Sequence, residues 1–337
     1  MDASALYLEA CARGDARSGY YNRNVKVESG DGPVMVRIPA TGSESMDLTM
    51  WPEHAVLDAI QPYVTAAPQL LHAQSDPAFQ IHEFIAGTSV DEMSPAGTRL
   101  PLEVLEDIGT LFAQMLRVPN SALPEPPPEW PKDGDTNGFV ALLLRLVRTI
   151  RRDVDDATKR LYQELGVPED PCAFLEEKAR AMPSRPFRLL HADIHRKNMI
   201  RELHGTVFLD WELALWGDPV YDLADHLHKM AYLRDERQQM ISAWVRAAPA
   251  ECREGWEDAL TFYTAYERMK SAVVDTVRWS RLITSAPTPE LRRAFACELA
   301  DKFAAARQFW EPHHTVSSPA EIESATARWA DRCGGRE

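Results

Sequence analysis

No stretch of this sequence is apolar for long enough to span a bilayer. Its first residues, Met1 to Arg13, carry Asp2 and Glu9 and lack a basic start ahead of an apolar core, so neither a membrane anchor nor a secretion signal is expected. Positive charge is scarce: 37 Lys and Arg against 51 Asp and Glu give a formal net charge of −14. That balance argues against nucleic acid as the main partner, because phosphate backbones are held by concentrated cationic surface. It is compatible with a cationic substrate. The five cysteines (11, 172, 252, 297 and 333) are odd in number and show no C-x-x-C spacing, which argues against a disulfide framework; reduced thiols in a cytoplasmic protein are expected. Histidine offers no zinc set either, since His226 and His228 cannot share a helical face and His313 and His314 are simply adjacent. There is no internal repeat. The length of 337 residues suggests two domains or lobes.

What is present concentrates between His191 and Glu212. Phe187-Arg188-Leu189-Leu190 suits a short strand ending where the polar residues begin, and Asp193 opens a loop. Asn198 to Arg201 and Thr206 to Leu209 read as two strands joined by a turn at His204-Gly205, a hairpin that returns Asn198 and Asp210 to one end. Phosphoryl transfer needs a carboxylate to orient the attacking hydroxyl and oxygen ligands to hold Mg²⁺ against nucleotide phosphates. Asp193, Asn198 and Asp210 are residues of that type.

The combination His191-x-Asp193-x-His195-x-x-Asn198, then Leu209-Asp210-Trp211-Glu212, then Trp216-Gly217-Asp218-Pro219-Val220-Tyr221-Asp222-Leu223-Ala224 resembles the aminoglycoside phosphotransferase and choline kinase superfamily. The resemblance implies an α+β, bilobal, protein-kinase-like fold. A small antiparallel-sheet lobe for the nucleotide would span 1–85, and a larger, mainly helical catalytic and substrate-binding lobe 86–337. It further implies Mg²⁺, ATP or GTP as co-substrate, Asp193 as the catalytic aspartate, and Asn198 and Asp210 as metal ligands. One departure is Ala192, where the family usually has glycine.

In the small lobe, Ser4 is expected to cap a first helix ending at Gly14. Asn24 to Glu28 and Val34 to Ile38 read as a hairpin, in which Val34, Val36 and Ile38 share one face while Met35 and Arg37 share the other. The resemblance places the phosphate-covering loop just before it, where Ser18 and Gly19 allow close backbone approach. It also puts Arg37 where protein kinases have a phosphate-binding lysine, and an arginine can serve by its fork. Its loss is then expected to affect catalysis more than folding; the plain alternative is an exposed strand arginine. Glu53, in the first turn of a helix starting near Pro52, is the candidate to orient Arg37, with Glu44 as competitor. Phe79 to Gly87 resembles the last small-lobe strand and hinge, so backbone near Glu83 and Ile85 would receive the purine.

Farther on, Leu102 to Leu116 reads as an amphipathic helix, and Val140 to Leu161 as another with a solvated basic face. Asp218 is expected to brace the catalytic loop. Asp222 and Asp225 either brace and cap or face a cationic substrate. His191 and His195 are expected to hold the loop by hydrogen bonds. The helix Phe262 to Leu282 carries Tyr263, Glu267 and Asp275, candidates for the acceptor wall. The expected activity is transfer of γ-phosphate to a small-molecule hydroxyl, with an antibiotic of aminoglycoside, nucleoside, peptide or macrolide type as the favoured acceptor. A metabolic alcohol such as choline, or a nucleotide-binding regulator without turnover, are the alternatives. A protein kinase is disfavoured, because Asp210-Trp211-Glu212 stands in place of D-F-G and no A-P-E follows.

Overall fold

The hairpin that carries Arg37 is built from strongly alternating valines. In the computed structural model, which describes residues 1–13, 17–18, 22–40, 48–310 and 317–334, strands β1 (Arg17–Ser18), β2 (Asn22–Ser29), β3 (Gly32–Pro39), β4 (Leu70–Ser75) and β5 (Ala78–Glu83) form one antiparallel sheet in the order β1-β2-β3-β5-β4. Val25, Val27, Val34 and Val36 pack with Phe79 and Ile81 against Leu6 and Ala10 of the helix Ala3–Ala12. Burying each such side chain stabilises by about 1.5–3 kcal/mol, which fixes the register. Arg37 consequently emerges on the opposite face, beside Asn24 and Gln80. The first helix is capped by Asp2 rather than Ser4: the Asp2 carboxylate accepts the Ala5 N–H at 3.1 Å.

The chain divides by internal contact into two units, Met1–Trp130 with Arg185–Arg253, and Pro131–Ser184 with Glu254–Glu337. The first holds the sheet just described, the helices Glu53–Ile60 and Leu102–Met115, and three further strand pairings among the described residues. Strand β6 (Thr88–Ser89) joins β8 (Met199–Arg201), which pairs with β9 (Thr206–Phe208); β7 (Arg188–Leu190) pairs with β10 (Leu215–Gly217). A side chain at Gly87 would collide with the Arg201 carbonyl, so only glycine lets the link from β5 run against β8. The lobe boundary expected between 85 and 86 falls inside this unit; as a division of labour it stands as a proposal.

The second unit is helical, with Thr136–Arg152, Asp156–Glu164, the 30-residue helix Trp256–Ser285, Pro289–Arg307 and Pro319–Gly334. The single helix expected over Val140 to Leu161 is in fact two. The first ends at Arg152 with Asp153 as its C-cap, and Asp155 caps the second, accepting the Thr158 N–H at 2.7 Å. Nor is Arg151 part of a solvated face. It is buried, donates to the carbonyls of Val167 and Pro168, and lies over the Tyr162 ring at 4.6 Å. No helix among the described residues is long and apolar enough to cross a membrane.

Candidate active site

The end of β7 delivers His191 into a tight loop in which Ala192 takes a left-handed backbone, φ +59°. An L-residue there costs roughly 1–2 kcal/mol, so the loop must be held from outside. Asp222 does this, accepting the N–H groups of His191 at 3.2 Å and Ala192 at 2.8 Å. Asp218, the residue expected to brace the loop, instead caps the helix Pro219–Lys229 through the Val220 N–H and forms a fully buried pair with Arg185. Burial, with Asp225 nearby, pushes the Asp222 carboxyl up to about 7 despite the two N–H donors. The histidines also hold the loop. His191 Nε2 meets the Leu209 carbonyl at 3.1 Å, His195 Nδ1 accepts the Lys197 N–H at 3.2 Å, and His226 Nδ1 meets the Ile194 carbonyl at 3.0 Å. Burial keeps His191 and His226 neutral, with values lowered to about 4 and about 3.

Asp193 then presents a carboxylate with a donor on each oxygen. Asn198 Nδ2 donates to Oδ2 at 2.8 Å and Lys229 Nζ to Oδ1 at 2.7 Å, with His195 Nε2 3.5 Å from Oδ2. Burial alone would raise its pKa, but Lys229 and His195 outweigh it and hold the group well below the usual carboxylate range. Asp225, with no exposed side chain, is 3.0 Å from Lys229. Because Asn198 turns its amide nitrogen to Asp193, its carbonyl oxygen is the atom left to face a cation.

The hairpin β8–β9 returns the chain to this point: the Leu209 N–H donates to the Asn198 carbonyl at 2.8 Å, and Asp210 follows with φ +67°. Arg37 Nη2 donates to Asp210 Oδ1 at 2.7 Å, its Nε stands 3.3 Å from Glu53 Oε2, and Nη2 lies 3.7 Å from Glu212 Oε2. The Arg37–Glu53 pair is therefore formed, and Arg37 is buried rather than exposed. It is held by charge and proximity more than by alignment, since neither Nε nor Oε2 makes a well-directed hydrogen bond. Glu53 is fixed instead through Oε1, which accepts the Trp211 N–H at 3.0 Å. Against burial, the three acids raise the Arg37 pKa above its ordinary value. Burial, with Asp210 and Glu53 close by, pushes Glu212 up to about 8, and Asn22 Nδ2 donates to it at 2.6 Å. One cation among three carboxylates leaves room for more positive charge.

The oxygens of Asn198 and Asp210 are hard donors of the kind Mg²⁺ takes. No group of three or more His, Cys, Asp or Glu among the described residues is arranged to hold a metal unaided. A magnesium ion here would complete its shell with phosphate oxygens and water, as that ion commonly does.

Of the other expected positions, Ser18 lies in β1, while Gly19 and Glu44 fall outside the described residues. Glu83 ends β5, and its N–H donates to the Gln69 carbonyl at 3.0 Å. Ile85 follows β5 in the link to β6. Tyr263, Glu267 and Asp275 lie buried on the helix Trp256–Ser285 of the second unit. There Glu267 Oε2 pairs with Lys270 at 2.9 Å, while Asp275 Oδ2 accepts from Ser271 at 2.7 Å and lies 2.8 Å from Lys302. Sequence reading passed over Lys229 and Asn22. The first had a usable signal, a cation one helical turn after Asp225.

The model of the phosphotransferase enzyme family (APH) matches residues 15–271. The thiamine kinase of Salmonella paratyphi B (strain ATCC BAA-1250 / SPB7) is 36% identical over 76 residues, 21% of this chain and 26% of that protein, so the chain spans about a quarter of the length of the curated relatives it matches. Among solved structures, a choline/ethanolamine kinase family protein from Mesorhizobium loti superposes with a TM-score of 0.55 at 15% identity, covering 96% of each chain. A thermostable mutant of aminoglycoside phosphotransferase APH(4)-Ia, in ternary complex with AMP-PNP and hygromycin B, superposes with a TM-score of 0.51 at 13% identity, covering 97% of this chain and 99% of that one. At these identities the likeness is one of fold, an α+β protein-kinase-like fold with a small antiparallel sheet toward the N-terminus and a helical C-terminal part.

Proposed function

We propose that this chain, which belongs to the phosphotransferase enzyme family, is a small-molecule phosphotransferase that moves the γ-phosphate of ATP or GTP to a hydroxyl of a small cationic acceptor. The observation that carries this reading is the placement of Asp193 and Asn198 in direct contact at 2.8 Å, with Asp210 brought back by the hairpin and held by Arg37 at 2.7 Å. In the step, the acceptor oxygen bonds to the γ-phosphorus, the bond to the β-phosphate bridging oxygen breaks, and the nucleoside diphosphate leaves with that electron pair. Asp193 orients the hydroxyl and accepts its proton, which passes on to solvent. Its depressed basicity suits a loose transition state, in which the proton moves late and orientation matters more than base strength. Bound Mg²⁺ would neutralise charge on the transferring phosphoryl group, with Asn198 and Asp210 as its ligands. Arg37, directed by Glu53, contacts phosphate, and backbone near Glu83 and Ile85 receives the purine.

A cationic acceptor is favoured by the net charge of −14 and by the buried Glu267, whose Oε1 has no hydrogen-bond partner among the described residues. The names of the similar proteins point the same way, since thiamine, choline, ethanolamine and aminoglycosides all carry positive charge. Asp222 and Asp225 serve this acceptor only indirectly, through the loop and Lys229. An antibiotic, inactivated as a resistance mechanism in the cytoplasm, remains our favoured acceptor, and a metabolic alcohol is the second reading. Purified protein should be incubated with Mg²⁺, ATP or GTP, and a panel of aminoglycosides, macrolides, peptide and nucleoside antibiotics, thiamine, choline and ethanolamine. Gain of one phosphoryl group by mass spectrometry names the acceptor. Nucleotide binding without transfer to any member, and without hydrolysis, would instead favour a regulatory module.

A further inference from the structure

Lys229 ends the helix Pro219–Lys229, beyond the motif through which the site was recognised, yet its ammonium is surrounded by three oxygens of different origin. These are Asp193 Oδ1 at 2.7 Å, the Ala192 carbonyl at 3.0 Å and Asp225 Oδ2 at 3.0 Å. The ammonium donates hydrogen bonds to Asp193 Oδ1 and the Ala192 carbonyl, while Asp225 holds it from the helix side by charge. We propose that Lys229 is a positioning residue for phosphoryl transfer, fixing the orientation of the Asp193 carboxylate from one oxygen while Asn198 fixes the other. The inference rests on the reading of Asp193 as the group that receives the acceptor hydroxyl.

The geometry separates this role from that of an ordinary helix ion pair. A solvent-exposed i,i+4 pair contributes little, but here Asp225 is fully buried and Lys229 is only 24% exposed on its side chain. The same ammonium also ties the carboxylate to the main chain of the left-handed residue before it. One helix thus grips the loop at both ends. Asp222 in its first turn takes the N–H groups of His191 and Ala192, and Lys229 in its last turn takes the Ala192 carbonyl and the Asp193 side chain. With a donor on each oxygen, the carboxylate plane cannot turn, and its remaining lone pairs are held toward one direction. Misplacing a reacting group by about 1 Å costs on the order of 10²-fold in rate, so losing one of two such anchors should appear in kcat.

The test compares wild type with Lys229→Met, Lys229→Arg and Lys229→Ala, assayed with Mg·ATP and the best acceptor of the panel, or with water as acceptor. Removing Lys229 takes the neighbouring cation from a buried Asp225 carboxylate, so Lys229→Met is also made in an Asp225→Asn background, where that side chain carries no charge. Lys229→Met should lower kcat by about 10- to 100-fold with the nucleotide KM within about twofold. Lys229→Arg should recover part of the loss, and methylammonium should rescue Lys229→Ala in a saturable way. Crystal structures of wild type and Lys229→Met should show the Asp193 carboxylate rotated or split between orientations. An unmoved Asp193 together with kcat within about threefold of wild type overturns the proposal. So does a loss of kcat that neither arginine nor methylammonium relieves. If wild type neither transfers nor hydrolyses, the phosphotransfer reading itself has failed, and the crystallographic orientation of Asp193 alone decides the role of Lys229.

Discussion

Arg37 Nη2 sits 2.7 Å from Asp210 Oδ1, two residues 173 positions apart in sequence, and the same guanidinium faces Glu53 at 3.3 Å. Arg37→Ala should lower kcat/KM for the nucleotide by about 10²-fold or more, roughly 2.7 kcal/mol of transition-state stabilisation. The structure adds a folding cost that the strand pattern did not announce. Glu53 is buried, and stripping a buried acid of its partner costs roughly 3–5 kcal/mol. Arg37→Lys should recover part of both losses, because it restores charge without the fork. Steady-state kinetics beside a thermal melt decides this: normal kinetics in a destabilised Arg37→Ala would leave Arg37 a purely structural role.

Asp193→Asn should leave Mg·nucleotide binding nearly intact while turnover falls by about 10³-fold or more, since the carboxylate serves the acceptor hydroxyl rather than the nucleotide. Calorimetry and single-turnover rates on the same preparation check it. Turnover within a few-fold of the parent would remove Asp193 from the reaction.

For the metal, Asp210→Ala should abolish Mg²⁺-dependent nucleotide binding, whereas Asn198→Ala, which removes a neutral ligand, should weaken it less. Titrating Mg²⁺ against a fluorescent ATP analogue distinguishes the two. An unchanged Mg²⁺ dependence in Asp210→Ala moves the ligand role elsewhere, with Glu212 the neighbouring carboxylate.

Ala192 carries φ +59°, a conformation glycine adopts without the Cβ penalty. Ala192→Gly should therefore raise stability by about 0.5–1 kcal/mol, the relief of strain exceeding the entropy that glycine adds to the unfolded chain. Ala192→Val should lower it. Denaturant midpoints at unchanged slope are the measurement; a destabilised Ala192→Gly would mean that the loop is not strained.

Three buried histidines give the pH dependence a definite sign. His82, His191 and His226 are lowered by burial to about 3, 4 and 3, below the value of 6.5 expected in the unfolded chain. Below pH 6.5 the unfolded chain takes up protons that the folded protein refuses, so the stability they contribute is complete above that pH and is lost as pH falls toward the folded values. Asp222 works in the opposite direction, because its raised value near 7 makes the folded state the better proton acceptor below that pH. The stability gap between wild type and His226→Gln should accordingly narrow by about 2 kcal/mol between pH 7 and pH 5. A gap that stays constant would show that His226 titrates alike in both states.

The grouping of Asp193, Asn198 and Asp210 was legible because it is local. Asp193 and Asn198 lie five residues apart, and the hairpin to Asp210 is short, so strand pattern and turn residues place the three together without knowledge of the remainder. Arg37 was legible in part, since the alternation of valines in β3 sets its face, though not its burial. The break at Asp153 to Asp155 was missed because apolar spacing on either side keeps a helical period, while the Asp155 cap is a local competitor that periodicity does not weigh.

The sequence by itself determined which polar side chains gather at the end of the hairpin and which strand faces present them, because alternation and short turns act over a few residues. Tertiary structure decided which groups are tuned and held. That Asp222 rather than Asp218 grips the loop, that Lys229 reaches Asp193 across 36 residues, and that one arginine serves three carboxylates all depend on burial and on the packing of distant segments. Those contacts follow from the shape of the assembled core, and no local pattern encodes them.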